Sequence, residues 1–209
     1  MATKNPSFLN TDFLIRQVDK QGFKLFTDSR KPFNLNLIGI RTASQQVDTF
    51  DDWMAVLWHY NGAWNSLFFQ QTTDPGLYYL GPERMGNESG TFLLKDQYQH
   101  FGLWKLGFHH GRHGHPCLRQ KGPAIGWRDH NRDNKINPDK DHTYHGQGIN
   151  CHRAKAEGKT ERVGPYSSGC QVFENANEHR DVFIPICKQA ASFWGDSFSY
   201  LLLNEQFFI

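Results

Sequence analysis

Apolar positions in this chain fall mostly into short runs broken by glycine, proline and acidic turn residues, a pattern that favours strands over helices. Residues 11–20 are an exception: Phe13, Leu14 and Val18 fall on one side of a predicted short helix. Residues 23–26 and 35–40 read as a hairpin around the polar cluster Asp28-Ser29-Arg30-Lys31-Pro32. The stretch from Thr49 to Asn61 is predicted as the clearest helix, capped by Thr49 or Asp48 and stopped by Gly62. Asp51 and Asp52 suit its positive end, and Phe50, Trp53, Met54 and Leu57 would share a face packed on a sheet.

Further along, Ser66 to Leu80 holds short apolar runs around the turn candidate Thr73-Asp74-Pro75-Gly76. Residues 90–95 and 103–108 read as strands, as do Ile149 to His152 and Phe198 to Leu203. Phe183 to Trp194 suits a helix ended by Gly195, with Pro185 in its first turn. The expectation is a mainly β, α+β fold with a few packing helices. No repeat, low-complexity tract or linker divides residues 1–209, so one domain is expected.

Composition narrows the function. Hydrophobic content of 38% with 14% aromatics argues against disorder, and a formal charge of +2 gives no electrostatic case for a nucleic-acid partner. No apolar run approaches the length of a membrane span. The start, MATKNPSFLNTDFLIRQVDK, lacks the apolar core of a secretory signal. Four cysteines, Cys117, Cys151, Cys170 and Cys187, are read as three buried thiols and one reactive one.

The chemistry concentrates between His145 and Phe173. His152 lies at the exit of a strand, and Gly164-Pro165 leads into Ser167-Ser168-Gly169-Cys170. Small residues around Cys170 let backbone approach the sulfur, and an imidazole and a thiol together supply a base and a nucleophile. Adjacent strand residues face opposite ways, which assigns Cys151 to the core.

This stretch resembles the L,D-transpeptidases, which carry a histidine, a connection of similar length and then Ser/Thr-His-Gly-Cys. Here His152 is followed by fourteen residues and then Ser167-Ser168-Gly169-Cys170. The sequence departs from the family at Ser168, where a second histidine is usual, and at Gln171-Val172. The resemblance implies a β-sandwich catalytic domain with Cys170 as nucleophile and His152 as base. It also implies acyl transfer on peptidoglycan stem peptides through an acyl-enzyme, or hydrolysis at the same site as an L,D-carboxypeptidase or endopeptidase, with action at the bacterial wall or periplasm. Without a signal segment, delivery would fall to phage lysis or a contact-dependent secretion machine. Amides around Gly169 and Cys170 would stabilise an oxyanion, Ser168 would bond where the family histidine sits, and Ser167 would support the turn. His145 is the stand-in for the missing histidine, and with Tyr166 and Arg112 it is expected to line the substrate cleft.

Two further clusters have competing readings. Asp129, Asn131 and Asp133 occupy the first ligand positions of a calcium loop, with the Lys135 carbonyl next. Asn134 replaces the turn glycine and Lys140 stands at the twelfth position, so the alternative is a polar turn with no metal. His109, His110, His113 and His115 invite zinc, or else form a cleft rim with Arg112 that meets stem-peptide carboxylates. No cofactor is required by the cysteine chemistry. Two other function classes compete: a His-Asn-His metal nuclease using Asp129-His130, Asn150 and His152, and a wall-binding module on a decayed enzyme scaffold.

Overall fold

The computed structural model describes residues 6–44, 46–82, 89–110 and 114–209. In chain order its elements begin with α1 (Thr11–Lys20), β1 (Asn36–Arg41), β2 (Asp52–Tyr60), β3 (Ala63–Thr72) and α2 (Leu77–Leu80). Next come β4 (Thr91–Leu94), β5 (Tyr98–His109), β6 (His115–Gln120), β7 (Ala124–Asp129) and β8 (Asp139–Gly146). The last part holds β9 (Cys151–Arg153), β10 (Gln171–Phe173), α3 (Ala176–Glu178), a π-helical turn at His179–Phe183, α4 (Ile184–Trp194) and β11 (Phe198–Asn204). The protein is mainly β with a few helices.

Eight strands close into a barrel in the order β1-β11-β5-β6-β9-β10-β3-β2, and β4-β7-β8 form a separate antiparallel sheet. Where a two-layer sandwich was expected, the main sheet closes on itself, so its strands have few open edges. The small sheet shares the barrel's core, since Phe92 and Leu94 of β4 join Leu37, Met54, Trp104, Phe173 and Tyr200 in one buried cluster. A second cluster lies between α1 and the opposite face of β1, β2 and β11, through Leu14, Val18, Ile38, Leu57 and Leu201.

The predicted helix from Thr49 to Asn61 is instead β2, and the reason is double burial. Met54 and Val56 enter the first cluster while Ala55 and Leu57 enter the second. A strand covered on both faces carries a continuous apolar run, which fits a helical period by accident. The turn after it is decisive: Asn61 and Gly62 have φ of 51° and 77°, and Tyr60 pairs with Ala63 across them. That is the Asn-Gly hairpin geometry.

Two smaller expectations also change. Residues 23–26 form no strand, because the Asn36 side chain takes both the amide (2.6 Å) and the carbonyl (3.0 Å) of Phe26 in place of a ladder. The last helical run begins at Ala176, not Phe183, so Pro185 falls inside it. The π-turn accommodates the proline's missing donor, with the Ile184 amide reaching the His179 carbonyl. Helix α1 forms as predicted, with the Asn10 side chain accepting from the Phe13 amide.

Candidate active site

Strands β9 and β10 run parallel with Cys151 opposite Gln171 and His152 opposite Val172. Alternation therefore puts Cys151 and Gln171 on one face, His152 and Val172 on the other. Cys151 is fully buried in the core. Cys170, two residues before Val172, shares the His152 face, one strand away and displaced by two residues, a Cα separation of about 8 Å. Both side chains line one cavity of about 320 Å³.

Local sequence fixes this placement. Gly169 has a φ of +131°, and a Cβ there would stand 2.4 Å from the Phe92 carbonyl oxygen. Only glycine fits before the cysteine. The Ser167 hydroxyl donates to the Cys170 carbonyl (2.8 Å) and accepts from the Gly169 amide (3.2 Å), closing the turn. That commits the Gly169 amide and leaves Cys170's own N–H as the expected oxyanion donor. Asp48 ties the neighbouring loops, its Oδ1 accepting from the amides of Gly164 (2.6 Å) and Leu77 (3.1 Å). Tyr79, on the segment so held, donates its hydroxyl to the Pro165 carbonyl (3.3 Å).

The sulfur of half-buried Cys170 accepts from the Asn150 amide and faces the Gly148 carbonyl, each at 3.4 Å. Burial pushes its pKa up to about 11, partly offset by the Asn150 amide. His152 is buried, and its Nδ1 lies 2.8 Å from the Arg153 carbonyl, so this nitrogen carries the proton and Nε2 is the free base. Burial lowers its pKa to about 3, the Arg153 carbonyl works the other way, and His109 and His115 lower it further. The resting pair is therefore a neutral thiol and a neutral imidazole.

Three more histidines gather here. His109 and His115 are cross-strand partners on β5 and β6, their rings 5.2 Å apart and stacked. His109 lies 4.5 Å from the His152 ring, and His179 from the π-turn stands 6.0 Å from His115. Two members of the predicted histidine cluster thus reach the site, while His110 is exposed and His113 and Arg112 lie outside the described residues. His179 had no sequence signal, since neither its motif context nor the π-turn is legible in the chain.

A second cavity, about 340 Å³, is also lined by Cys170, together with His145, Arg128, Thr91 and Phe92. His145 therefore lines this second cavity and not the one that His152 lines, while Tyr166 lines the cavity of His152. Tyr79 and exposed Ser168 line both. The Ser168 carbonyl accepts from the Phe92 amide (3.3 Å), which anchors the cysteine turn to β4.

The Asp129–Asn137 loop forms the polar turn. Asp129 Oδ2 accepts from the Asn137 amide, Asn131 Oδ1 from the Asp133 amide, and Asp133 Oδ1 from the Lys135 amide. Among the described residues no group of three or more His, Cys, Asp or Glu is placed to hold a metal ion. Among the described residues the strand-to-helix unit of the nuclease reading is not formed. His130 is exposed beside Tyr144, Asn150 Oδ1 accepts from the Gln120 amide, and β8 leads to β9 rather than to a helix. No helix among the described residues is long and apolar enough to cross a membrane.

Comparison with protein-family models, curated proteins and solved structures finds no match to this chain.

Proposed function

We propose that this protein is a cysteine acyltransferase acting on peptidoglycan stem peptides, similar in chemistry to the L,D-transpeptidases. The observation that carries the reading is the sharing of one strand face and one cavity by Cys170 and His152, with a second cavity that Cys170 also lines.

In this mechanism the thiol proton passes to His152 Nε2 while sulfur bonds to the substrate carbonyl carbon. Because the resting groups are far apart in proton affinity, transfer accompanies attack rather than preceding it. The Cys170 amide meets the developing oxyanion. Collapse breaks the C–N bond, and the departing amine takes the proton from His152. An incoming amine then attacks the thioester, gives its proton to the released thiolate through His152 and leaves a new amide. Water in place of that amine gives hydrolysis by the same steps. No metal enters the scheme.

A second reading, a non-catalytic wall-binding module, draws on the neutral resting thiol turned to Gly148 rather than to His152. Digestion of purified muropeptides by wild type and Cys170→Ala, with and without calcium and read by mass spectrometry, separates the two. Loss of D-alanine, opened cross-links or exchanged termini that vanish in the variant support the enzyme. Unchanged muropeptides with both proteins, together with wall binding in a pull-down, support the module.

A further inference from the structure

Gln171, directly after the cysteine, is one of the positions at which the sequence departs from the L,D-transpeptidases, and its side chain is fully buried. It lies on the core face of β10 with Cys151, opposite the face of His152. Tyr200 of β11 donates its hydroxyl to Gln171 Oε1 (2.8 Å). Strands β10 and β11 stand four places apart whichever way the barrel is followed, so this bond crosses the interior. Tyr200 in turn accepts from Gln71 Nε2 (3.4 Å), which also donates to the Trp53 carbonyl (3.1 Å). Gly39 makes room for the crossing, because a Cβ there would overlap the Tyr200 hydroxyl. Gln71, Gln171 and Tyr200 are all fully buried. Apolar side chains would fill the same space without desolvating two amides and a phenol, so packing alone does not account for them.

The chain of bonds has one direction. The Trp53 carbonyl can only accept, which turns Gln71 Nε2 toward Tyr200 and sends the hydroxyl hydrogen on to Gln171 Oε1. Gln171 Nε2 is left facing the Gly169 carbonyl at 3.5 Å. The reverse orientation of that amide would set one carbonyl oxygen against another. The Gly169 carbonyl and the Cys170 N–H are the two ends of one peptide plane. No peptide bond among the described residues is cis, so the two point in opposite directions. Drawing the carbonyl toward the interior turns the N–H outward, to the side where a substrate oxyanion would form. The last bond is long, so it steers the plane and adds little stability.

We propose that Gln171 and Tyr200 are positioning residues, which act through the Gly169 carbonyl to aim the Cys170 N–H as the oxyanion donor. Neither side chain touches substrate. This role rests on the reading of Cys170 as an acyl-forming nucleophile, and it puts the support for that chemistry inside the barrel, behind the turn that carries the thiol.

Two reactions of the thiol separate aiming from folding. Acylation by p-nitrophenyl acetate moves the acetyl group to sulfur and releases p-nitrophenolate through a tetrahedral oxyanion. Alkylation by iodoacetamide displaces iodide and forms no oxyanion. Both are read at Cys170 by intact mass and peptide mapping, with Cys170→Ala as the blank. The ratio of acylation rate to alkylation rate should fall about tenfold to a hundredfold in Tyr200→Phe and in Gln171→Met, short of the roughly 10²–10³ that loss of an oxyanion donor itself costs. The double variant replaces both polar partners by apolar ones of similar shape, so its melting temperature should recover toward wild type while the ratio stays low. An equal ratio in wild type and the single variants, zero acylation included, overturns the assignment. So does a ratio that recovers with the melting temperature in the double variant, which would make the pair structural only. A ratio that falls in the single variants and stays low in the double variant, alongside muropeptides that the wild type leaves untouched, would keep the positioning pair and refute the peptidoglycan reading.

Discussion

Gly169 lies against Phe92 so closely that the α-carbon before Cys170 could carry no side chain: a Cβ would stand 2.4 Å from the Phe92 carbonyl oxygen. Two penalties coincide there, a φ of +131° and a collision with backbone that cannot rotate away. Gly169→Ala should lower the melting temperature and abolish muropeptide processing together. Gly22→Ala is the control, because its φ of +76° is similarly adverse but nothing lies within 4 Å of the added methyl. That variant should cost about 1 kcal/mol and keep full activity. Equal losses of stability in the two would mean that the β4 contact does not hold the cysteine turn.

Asp48 is the only described side chain that grips both loops beside the cysteine, through the Gly164 and Leu77 amides. Its own φ of 70° is one that asparagine tolerates. Asp48→Asn keeps an acceptor and should retain most activity, whereas Asp48→Ala strands two amides and should cost about 1–3 kcal/mol in urea unfolding. Activity in Asp48→Ala should fall by more than its folded fraction does, because Tyr79 and Tyr166 lose their mutual placement. A loss in strict proportion to folding would reduce Asp48 to a purely structural residue.

The thiol of Cys170 sits at about 11 through burial, well above an ordinary cysteine. Only the thiolate alkylates quickly, so iodoacetamide should label Cys170 slowly at neutral pH, with a rate that still rises above pH 9. Cys117, Cys151 and Cys187 are fully buried and should stay unlabelled in the folded state. A rate that levels off below pH 8 would show the Asn150 amide and the nearby imidazoles outweighing burial, and the site would then rest as an ion pair.

The cysteine, its histidine and the glycine between them and the core were legible because each obeys a local rule. Alternation puts His152 and Cys151 on opposite faces, and a tight approach to a thiol demands glycine. The strand β2 was not legible as a strand, since an eight-stranded closure buries Met54 and Leu57 on different sides and erases the polar half of the pattern. Asn61-Gly62 carried the correction, and read as a helix stop it misled. His179, Arg128 and Thr91 reach the site through a π-turn and a second sheet, both set by tertiary pairing that no short window of sequence contains. His109 and His115 stood out as a dense cluster, but only the pairing of β5 with β6 turns them toward His152.

Arg41 is buried among carboxylates on the far side of β4, paired with Asp74 and Asp96 at 3.1 Å each and bonded to the Thr73 hydroxyl at 3.0 Å. Its guanidinium also donates to the carbonyls of Thr73 and Leu94, both at 3.2 Å, so it joins β1 to the small sheet. Arg41→Met removes the cation and leaves buried negative charge, which should cost about 3–5 kcal/mol at neutral pH. Nearby Asp52 is held up at about 7, by burial first and Asp74 second, with Arg41 opposing. Its folded value lies above the unfolded one, so the folded state binds more protons between about pH 4 and pH 7, and this group's stabilisation falls as pH rises through that window. Without Arg41 the fall should steepen, because Asp52 and Asp74 lose the charge that opposes protonation. Urea midpoints at pH 5 and pH 7.5 should therefore separate more widely in Arg41→Met than in wild type. An equal separation would show that these carboxylates stay ionised throughout, with the variant's loss arising from broken hydrogen bonds alone.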